Sequence, residues 1–399
     1  MRRHQLMAAG LVVLALAGCT DRGANTADAS AGTAGCPEVR TALEGPCVRS
    51  TAGLRLNDLQ AVGTHNSYKI AIPEIELALI AAQSPEAAQA LDYGHLPLHD
   101  QLDMGMRQIE LDVIRDPEGG LYADPLLPKL VAGRDGAVAY DPAGMDAPGY
   151  KVLHTQDLDP RSHCKTFKAC LAQLDAWSLA NPDHVPILVL VNLKSGGLDV
   201  PGTVVAPGYD AAAFDALDGE LTETLSRSRY IAPDDVRGDG ETLREAVLSG
   251  AWPDLEESRG RFLFALDTGA DHVTTYLRDT PSLEGRPMFV NSLSEDADHA
   301  AYFTMNDPLA DGEMITARVA AGFLVRTRAD ANTQEARTGN TARLQGALSS
   351  GAQYISTDYP TPRTEWSDYT ARLPGDVAAR CNPVRRRPAC DPVGEGARP

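Results

Sequence analysis

The chain has 399 residues and a formal net charge of −19 at pH 7, and 43% of its residues are hydrophobic. This length supports one large α/β barrel or two medium domains with an ample core. The acidic balance argues against a nucleic-acid partner and offers no general attraction to an anionic bilayer, so a bound cation would have to supply that attraction locally.

The first residues carry the features of an export signal. Arg2 and Arg3 form a basic start, residues 11–16 are apolar, and Leu16-Ala17-Gly18-Cys19 is similar to a bacterial lipobox. We expect residues 1–18 to be removed and Cys19 to carry a lipid, with residues 19–53 as a tether and N-terminal disulfide segment. An ordinary secretory signal with a chance cysteine is the alternative. The sequence therefore predicts an extracytoplasmic, membrane-anchored, monomeric bacterial lipoprotein.

Short β-prone runs alternate with helix-compatible stretches along the rest of the chain. The predicted strands are residues 59–62, 108–114, 152–153, 185–193, 260–265, 287–291, 324–326 and 353–356. The predicted helices are residues 74–91, 167–179, 211–226, 241–248, 313–321 and 340–349.

This alternation favours a parallel sheet covered by helices, and eight runs favour an α/β fold of the TIM-type (β/α)8 barrel class. We expect one catalytic domain over residues 54–365, with some irregularity, and a disulfide-closed tail over residues 366–399. Residues 194–210 and 267–286 read as long irregular insertions, so a two-domain arrangement stays open.

Seven cysteines are present, and Cys19 is assigned to the lipid. The other six admit 15 pairings, but they lie close together in twos along the chain. Their spacing favours three local disulfides in an oxidising compartment. A zinc site is the alternative, but the sequence has no CxxC pair. The favoured disulfides are Cys36–Cys47, Cys164–Cys170 and Cys381–Cys390.

Polar side chains with catalytic chemistry stand at the ends of the predicted strands. His65 and Asn66 follow the first run, and His154 follows the third. Glu110 and Asp112 are two residues apart on the second run, so both carboxylates project from one face of a strand. Two histidines suit proton transfer, and carboxylates with an amide suit a hard cation. The combination predicts metal-assisted phosphodiester chemistry.

Further candidates follow the later strands. Lys194 ends the most apolar run and suits a phosphate contact, and Arg326 and Arg328 suit bidentate phosphate binding, although Asp330 could neutralise one of them. Asp358 could orient a catalytic histidine or cap a loop. The candidates expected at the mouth of the barrel are Asn192, Lys194, Arg326, Arg328, Asp358 and Tyr359.

Taken together, residues 62–68, 107–113 and 152–154 resemble the calcium-dependent bacterial phosphatidylinositol-specific phospholipase C family. Residues 326–330 and 355–359 are also similar to bacterial members. The resemblance covers most of the predicted barrel.

The resemblance implies a TIM-type barrel that cleaves the glycerol–phosphate bond of phosphatidylinositol with Ca²⁺ as cofactor. It implies that His65 deprotonates the inositol 2-hydroxyl and that His154 protonates the leaving diacylglycerol oxygen. Lys194, Arg326, Arg328, Asp358 and Tyr359 would then contact substrate. The implied calcium ligands are Asn66, Glu110, Asp112 and Asn192.

One position departs from the family, because related enzymes commonly have a carboxylate where Asn192 stands, which lowers the negative charge of the expected cation site. Two alternative functions stay open. A glycerophosphodiester phosphodiesterase shares the barrel but normally shows His-Arg where this chain has His65-Asn66. A non-catalytic lipoprotein that binds inositol lipids would not need both histidines. The substrate itself stays open among phosphatidylinositol, a glycosylated inositol lipid and soluble glycerophosphoinositol.

Overall fold

The computed structural model describes residues 39–40, 50–373, 377–385 and 387–390. Its strands are β1 Val39–Arg40, β2 Leu59–Thr64, β3 Gln108–Asp116, β4 Gly149–Val152, β5 Ile187–Lys194, β6 Tyr230–Ile231, β7 Phe262–Asp267, β8 Phe289–Val290, β9 Tyr302–Thr304, β10 Leu324–Arg328, β11 Tyr354–Thr357 and β12 Ala379–Cys381.

The α-helices are α1 Glu74–Gln83, α2 Pro85–Leu91, α3 Leu98–Asp103, α4 Leu126–Val131, α5 Phe167–Ala180, α6 Ala211–Thr224, α7 Pro233–Arg237, α8 Leu243–Leu248, α9 Leu255–Ser258, α10 Ala270–Leu277, α11 Gly312–Ala321, α12 Gln334–Thr338 and α13 Ala342–Ser350. Short 3₁₀ helices cover Leu56–Asp58, Arg227–Arg229 and Pro388–Cys390.

The strands run in the order of an irregular TIM-type barrel. Strands β2, β11, β10 and β9 pair in parallel, and so do β3, β5, β7 and β8. A single parallel bridge between Asn291 and Tyr302 joins β8 to β9. The carboxyl ends of the parallel strands therefore meet at one face, where the chemistry of such barrels is located.

Strands β2 and β3 contact each other over only a short length, because other strands pair with the remaining residues of the edges that face each other. Strand β12 pairs antiparallel with β2 from Leu59 to Ala61, and β4 pairs antiparallel with β3 from Val113 onward. Between them, the Arg107 N–H donates to the Val62 carbonyl at 2.8 Å. A Cβ atom at Gly63 would lie 2.2 Å from the Gln108 carbonyl oxygen, so only glycine permits this approach.

Helix α5 illustrates how the outer layer covers the sheet. The Thr166 side chain caps its first turn by accepting the Ala169 N–H. Phe167, Leu171 and Leu174 recur at helical spacing and are buried in the main apolar core. That core includes the strand residues of β5 from Ile187 to Val191, which are at most 1% exposed. The helix thus shields one face of a sheet whose other face lines the barrel.

The predicted barrel class is confirmed, and seven of the eight predicted runs overlap strands of the barrel. The prediction that residues 152–153 form a barrel strand is wrong, because that run overlaps β4, which pairs antiparallel with β3. The eighth barrel strand is instead β9, which no predicted run covers. The predicted helix over residues 74–91 is divided at Ser84, which caps α2 ahead of Pro85.

The predicted pairs Cys164–Cys170 and Cys381–Cys390 are both disulfide-bonded. The predicted Cys36–Cys47 pair and the lipidation site Cys19 lie outside the described residues. In the part of the chain that the structure describes, no helix combines the length and apolarity needed to cross a bilayer.

Candidate active site

His65 and Asp358 meet at the carboxyl ends of β2 and β11. The His65 Nδ1 atom lies 2.8 Å from Asp358 Oδ1. A carboxylate only accepts hydrogen bonds, so Nδ1 carries the proton and Nε2 is left as the basic atom. Asn66 follows with φ of 48°, a left-handed conformation that asparagine tolerates. This turn lets the Asn66 carbonyl accept the Lys69 N–H at 2.9 Å.

Arg328, at the end of β10, contacts both members of this pair. Its Nη2 donates to Asp358 Oδ2 at 3.0 Å, and its Nη1 lies 3.3 Å from His65 Nε2. Burial first, and then Arg328, lower the pKa of His65 from its ordinary value. Burial would raise the pKa of Asp358, but His65 and Arg328 outweigh it and hold that pKa well below the usual range. The pair is therefore a neutral imidazole beside a carboxylate.

Glu110 and Asp112 project into the barrel from β3, as their spacing predicts. The Arg326 guanidinium on β10 donates to Glu110 Oε2 across the interior. The Lys194 ammonium at the end of β5 lies 3.1 Å from Asp112 Oδ2. Glu110 Oε1 is also 3.7 Å from His65 Nε2. Each carboxylate thus has a cationic side chain beside it.

Asp112 belongs to a polar row that crosses three neighbouring strands. It pairs in register with Asn192 on β5, and Asn192 pairs with Asp267 on β7. Side chains at paired positions of a parallel sheet project from the same face. Asp267 is not among the predicted site residues, and burial raises its pKa while Arg326 opposes that rise. A strand-end carboxylate after an apolar run was the signal available in the sequence.

The side chains fit a hard cation by their chemistry. The Asn66 Nδ2 donates to Tyr93 Oη at 2.7 Å, while Asn66 Oδ1 is buried and has no hydrogen-bond partner among the described residues. The side-chain oxygens of Asn66, Glu110, Asp112 and Asn192 are of the kinds that calcium takes as ligands. Only two of these four are carboxylates, and within the described ranges no three acidic, histidine or cysteine side chains cluster as a metal site.

His154 follows β4 and has its own carboxylate. Its Nδ1 lies 2.8 Å from Asp159 Oδ2. A tight turn brings the two together: the Asp159 N–H donates to the Thr155 carbonyl at 2.9 Å, and Asp157 adopts φ of 67° at its centre. The His154–Asp159 pair therefore repeats the histidine–carboxylate arrangement of His65 and Asp358.

Backbone hydrogen bonds tie the loop after β2 to the loop after β4. The His163 N–H donates to the Tyr68 carbonyl at 2.8 Å, and the Ile70 N–H donates to the Arg161 carbonyl at 3.3 Å. Between these bonds, Lys69 and Ser162 form an antiparallel bridge. The two predicted catalytic histidines thus belong to loops that are joined by backbone hydrogen bonds.

Lys69 and Tyr93 connect the two histidine–carboxylate pairs, and neither is among the predicted site residues. The Lys69 ammonium lies 3.3 Å from Asp159 Oδ2 and 4.6 Å from the centre of the Tyr93 ring. The Tyr93 hydroxyl lies 3.5 Å from His65 Nδ1. Lys69 stands four residues after His65 in the sequence, but nothing in the local pattern distinguishes it from a solvated lysine.

Tyr359 is the predicted site residue that lies apart from this network. Its side chain is buried, 2% exposed, and packs edge-on against Trp366 and Tyr369 in a second apolar cluster. Burial raises the pKa of its phenol. The ring is covered by its neighbours and contributes to packing, and the expected contact with substrate stays a prediction.

Comparisons with known proteins identify the family of the chain and similar folds. The family model described as "Phosphoinositide phospholipase C, Ca2+-dependent" matches residues 54–383. No curated protein matches the chain. Among solved structures, a calcium-dependent phosphoinositol-specific phospholipase C from Pseudomonas sp. in its myoinositol complex shares 14% identity, with 83% of this chain and 96% of that chain covered and a TM-score of 0.52. A second crystal form of that Pseudomonas protein shares 13% identity, with 87% and 99% covered and a TM-score of 0.54.

A calcium-dependent phosphatidylinositol-specific phospholipase C from Streptomyces antibioticus shares 18% identity, with 77% of this chain and 95% of that chain covered and a TM-score of 0.48. At 13–14% identity the two Pseudomonas structures establish the fold alone.

Proposed function

Because the chain belongs to the calcium-dependent phosphoinositide phospholipase C family, we propose that it cleaves the glycerol–phosphate bond of phosphatidylinositol with His65 as general base and His154 as general acid. The observation that carries this proposal is the presence of two histidine–carboxylate pairs, His65–Asp358 and His154–Asp159, on loops joined by hydrogen bonds. Two such pairs suit a reaction that needs one proton removed and another delivered.

In the proposed reaction, His65 Nε2 removes the proton of the inositol 2-hydroxyl. That oxygen forms a new bond to phosphorus while the bond from phosphorus to the glycerol oxygen breaks. His154 donates a proton to the departing diacylglycerol oxygen, which leaves a cyclic inositol phosphate. Asp358 and Asp159 hold the Nδ1–H of each imidazole and so direct each Nε2 toward the substrate.

Positive charge around the phosphate would come from the protein and from the cofactor. Lys194 lies beside Asp112, Arg326 beside Glu110, and Arg328 beside His65. Bound calcium would neutralise charge that develops on the phosphate oxygens. The proposed ligands of that ion are Asn66, Glu110, Asp112 and Asn192.

The test is an assay of phosphatidylinositol vesicles with calcium or with a chelator. Release of water-soluble inositol phosphate, dependent on calcium, supports the proposal. Glycerophosphoinositol separates the alternative: C-type cleavage yields glycerol and an inositol phosphate, whereas a glycerophosphodiester phosphodiesterase yields glycerol 3-phosphate and inositol. Binding to the vesicles without any turnover would favour the non-catalytic lipoprotein.

We also propose that the protein acts outside the cytoplasm and is anchored through Cys19. The two disulfides of the described residues support an oxidising compartment. Mass spectrometry of the mature N-terminus should find a diacylglyceryl group on Cys19, and an unmodified terminus elsewhere would contradict the anchor.

A further inference from the structure

Lys69 is a fully buried lysine whose ammonium lies beside the carboxylate partner of His154. Its side chain is 0% exposed. The Nζ atom donates to the carbonyl oxygens of Tyr93 at 2.6 Å and Leu91 at 3.1 Å and lies 3.3 Å from Asp159 Oδ2. These contacts fix the ammonium in one place, and a buried charge so placed requires a compensating anion.

Lys69 and His154 lie beside the same oxygen of Asp159. Oδ2 lies 2.8 Å from His154 Nδ1 and 3.3 Å from Lys69 Nζ, while Oδ1 has no hydrogen-bond partner among the described residues. The phenols of Tyr68 and Tyr93 also lie within electrostatic reach of this carboxylate, and burial raises the pKa of both, so they stay neutral. Lys69 is thus the permanent positive charge of the cluster.

This arrangement matters when His154 changes its charge. As a general acid, His154 passes from a cationic imidazolium to a neutral imidazole. Without Lys69, the loss of that proton would leave Asp159 as a buried carboxylate, 1% exposed, with no cation beside it. Burial would raise the pKa of Asp159, but Lys69 and then His154 reverse that effect and lower it. The carboxylate consequently stays ionised in both states of the histidine.

We propose that Lys69 is a positioning residue for proton donation: it holds Asp159 anionic and oriented so that His154 releases its proton to the leaving oxygen. This inference rests on the proposed function and extends it to a residue that does not touch the substrate. It predicts a defect confined to protonation of the leaving group.

A second buried lysine of the same fold provides a matched control. Lys151 on β4 is 0% exposed and lies 3.3 Å from the buried carboxylate Asp116. The pair has the same distance and burial as Lys69 and Asp159, and Asp116 contacts the Leu121 N–H rather than a histidine. Replacement of either lysine by methionine removes a buried charge, so any general loss of stability is shared by both variants.

The experiment compares two substrates of the same inositol phosphodiester class. Phosphatidylinositol has an alkoxide leaving group that needs a proton, whereas inositol 4-nitrophenyl phosphate has a leaving group that departs without one. We expect Lys69→Met to lower kcat on phosphatidylinositol by about 10- to 100-fold, which is less than the ~10²–10⁴-fold that a general acid contributes because His154 itself is still present. Lys69→Met should change kcat with the nitrophenyl substrate by less than about threefold, because that leaving group needs no general acid. Lys151→Met should change both rates by a similar factor.

A double variant tests whether Lys69 acts on His154 through Asp159. If Lys69 acts through Asp159, Lys69→Met combined with Asp159→Asn should lose no more activity than Asp159→Asn alone. Equal losses of Lys69→Met on both substrates, or additive losses in the double variant, would overturn the inference.

Failure of the proposed function would be recognised separately, because the wild-type protein would then turn over neither substrate. In that case ¹⁵N spectra of the histidine side chains still test the local arrangement. Lys69→Met should shift the His154 ring signals and leave those of the distant buried His184 unchanged. Unchanged His154 signals would refute a link between Lys69 and His154.

Discussion

The imidazole of His65 and the carboxylate of Asp358, 293 residues apart in the chain, are joined by a 2.8 Å hydrogen bond. Parallel pairing of the first and last barrel strands, β2 and β11, brings them together. The histidine is thereby fixed in one tautomer before any substrate arrives. His154 obtains the same arrangement locally, from a carboxylate only five residues away.

The two histidines should be distinguishable by the leaving group of the substrate. We expect His65→Ala and His154→Ala each to lower turnover of phosphatidylinositol by about 10²–10⁴-fold. A nitrophenyl leaving group should restore activity to His154→Ala but not to His65→Ala, since only the acid becomes dispensable. Initial rates on both substrates provide the measurement, with thermal unfolding as the check on folding. Equal restoration of both variants would mean that the roles are assigned incorrectly.

Calcium affinity should depend on Asp112. Asp112→Asn removes one of the two carboxylates in the proposed ligand set, and the number of charged ligands strongly tunes calcium affinity. We expect the Kd from isothermal titration calorimetry to rise by about tenfold or more. Asp218→Asn is the control, because Asp218 is paired with Arg286 and Tyr276 in the helical layer. Activity that survives chelation would exclude calcium and leave Lys194 and Arg326 to neutralise the phosphate.

Stability should depend on the absence of a side chain at Gly63. A Cβ there would lie 2.2 Å from a backbone oxygen of β3, and the backbone cannot yield as a flexible side chain would. We expect Gly63→Ala to lower the free energy of unfolding by about 3 kcal/mol. Gly219→Ala, in the middle of α6 with open space around its Cα, should raise it by about 0.5–1 kcal/mol. Urea titration of both variants is the measurement, and an unperturbed Gly63→Ala protein would contradict the close approach.

Stability should also fall as the pH rises through the titration of Asp330. Burial, followed by the charge of Asp358, raises the pKa of Asp330 from 3.8 to about 7. The folded protein therefore binds this proton more tightly than the unfolded chain, so the contribution is full below about pH 4 and is lost as the pH approaches 7. The amide introduced by Asp330→Asn imitates the protonated acid toward the Asp358 N–H and the Thr357 and Tyr369 hydroxyls.

Urea titrations of Asp330→Asn between pH 4 and pH 8 should accordingly show a smaller decline in the free energy of unfolding than the wild type does. Asp141→Asn is the control, since Asp141 is a surface carboxylate whose pKa is lowered by Lys165. Parallel pH profiles of Asp330→Asn and wild type would contradict the raised pKa.

The sequence predicted the features that depend on local pattern. Apolar runs such as residues 185–193 located the barrel strands because a strand buried on both faces is continuously apolar. An apolar run does not reveal which strands pair with each other. For this reason the prediction placed residues 152–153, which belong to or follow β4, in the barrel. The pattern also missed the barrel strand β9, which forms parallel pairs with β10.

Some residues of the candidate site could be predicted from the sequence, and others could not. Histidines and carboxylates at strand ends were detectable, and Asp159 could have been found from its position one turn after His154. The role of Lys69 could not be predicted from the sequence, because a lysine side chain is ordinarily solvated. This one is buried only because the loops after β2 and β4 pair with each other. The apolar surroundings of Tyr359 likewise depend on how the chain after β11 folds, which brings Trp366 and Tyr369 against its ring.

The pairing of β2 with both β11 and β12 has a consequence for biosynthesis. A chain that emerges from its amino end presents β2 first, yet both edge partners arrive more than 290 residues later. Until then β2 is an open edge strand, which invites pairing with other chains. Closure over such a separation is slow and exposes intermediates to aggregation. If the protein is exported as proposed, completion of the ring must follow nearly complete passage across the membrane, and a holding chaperone on the receiving side would improve the yield.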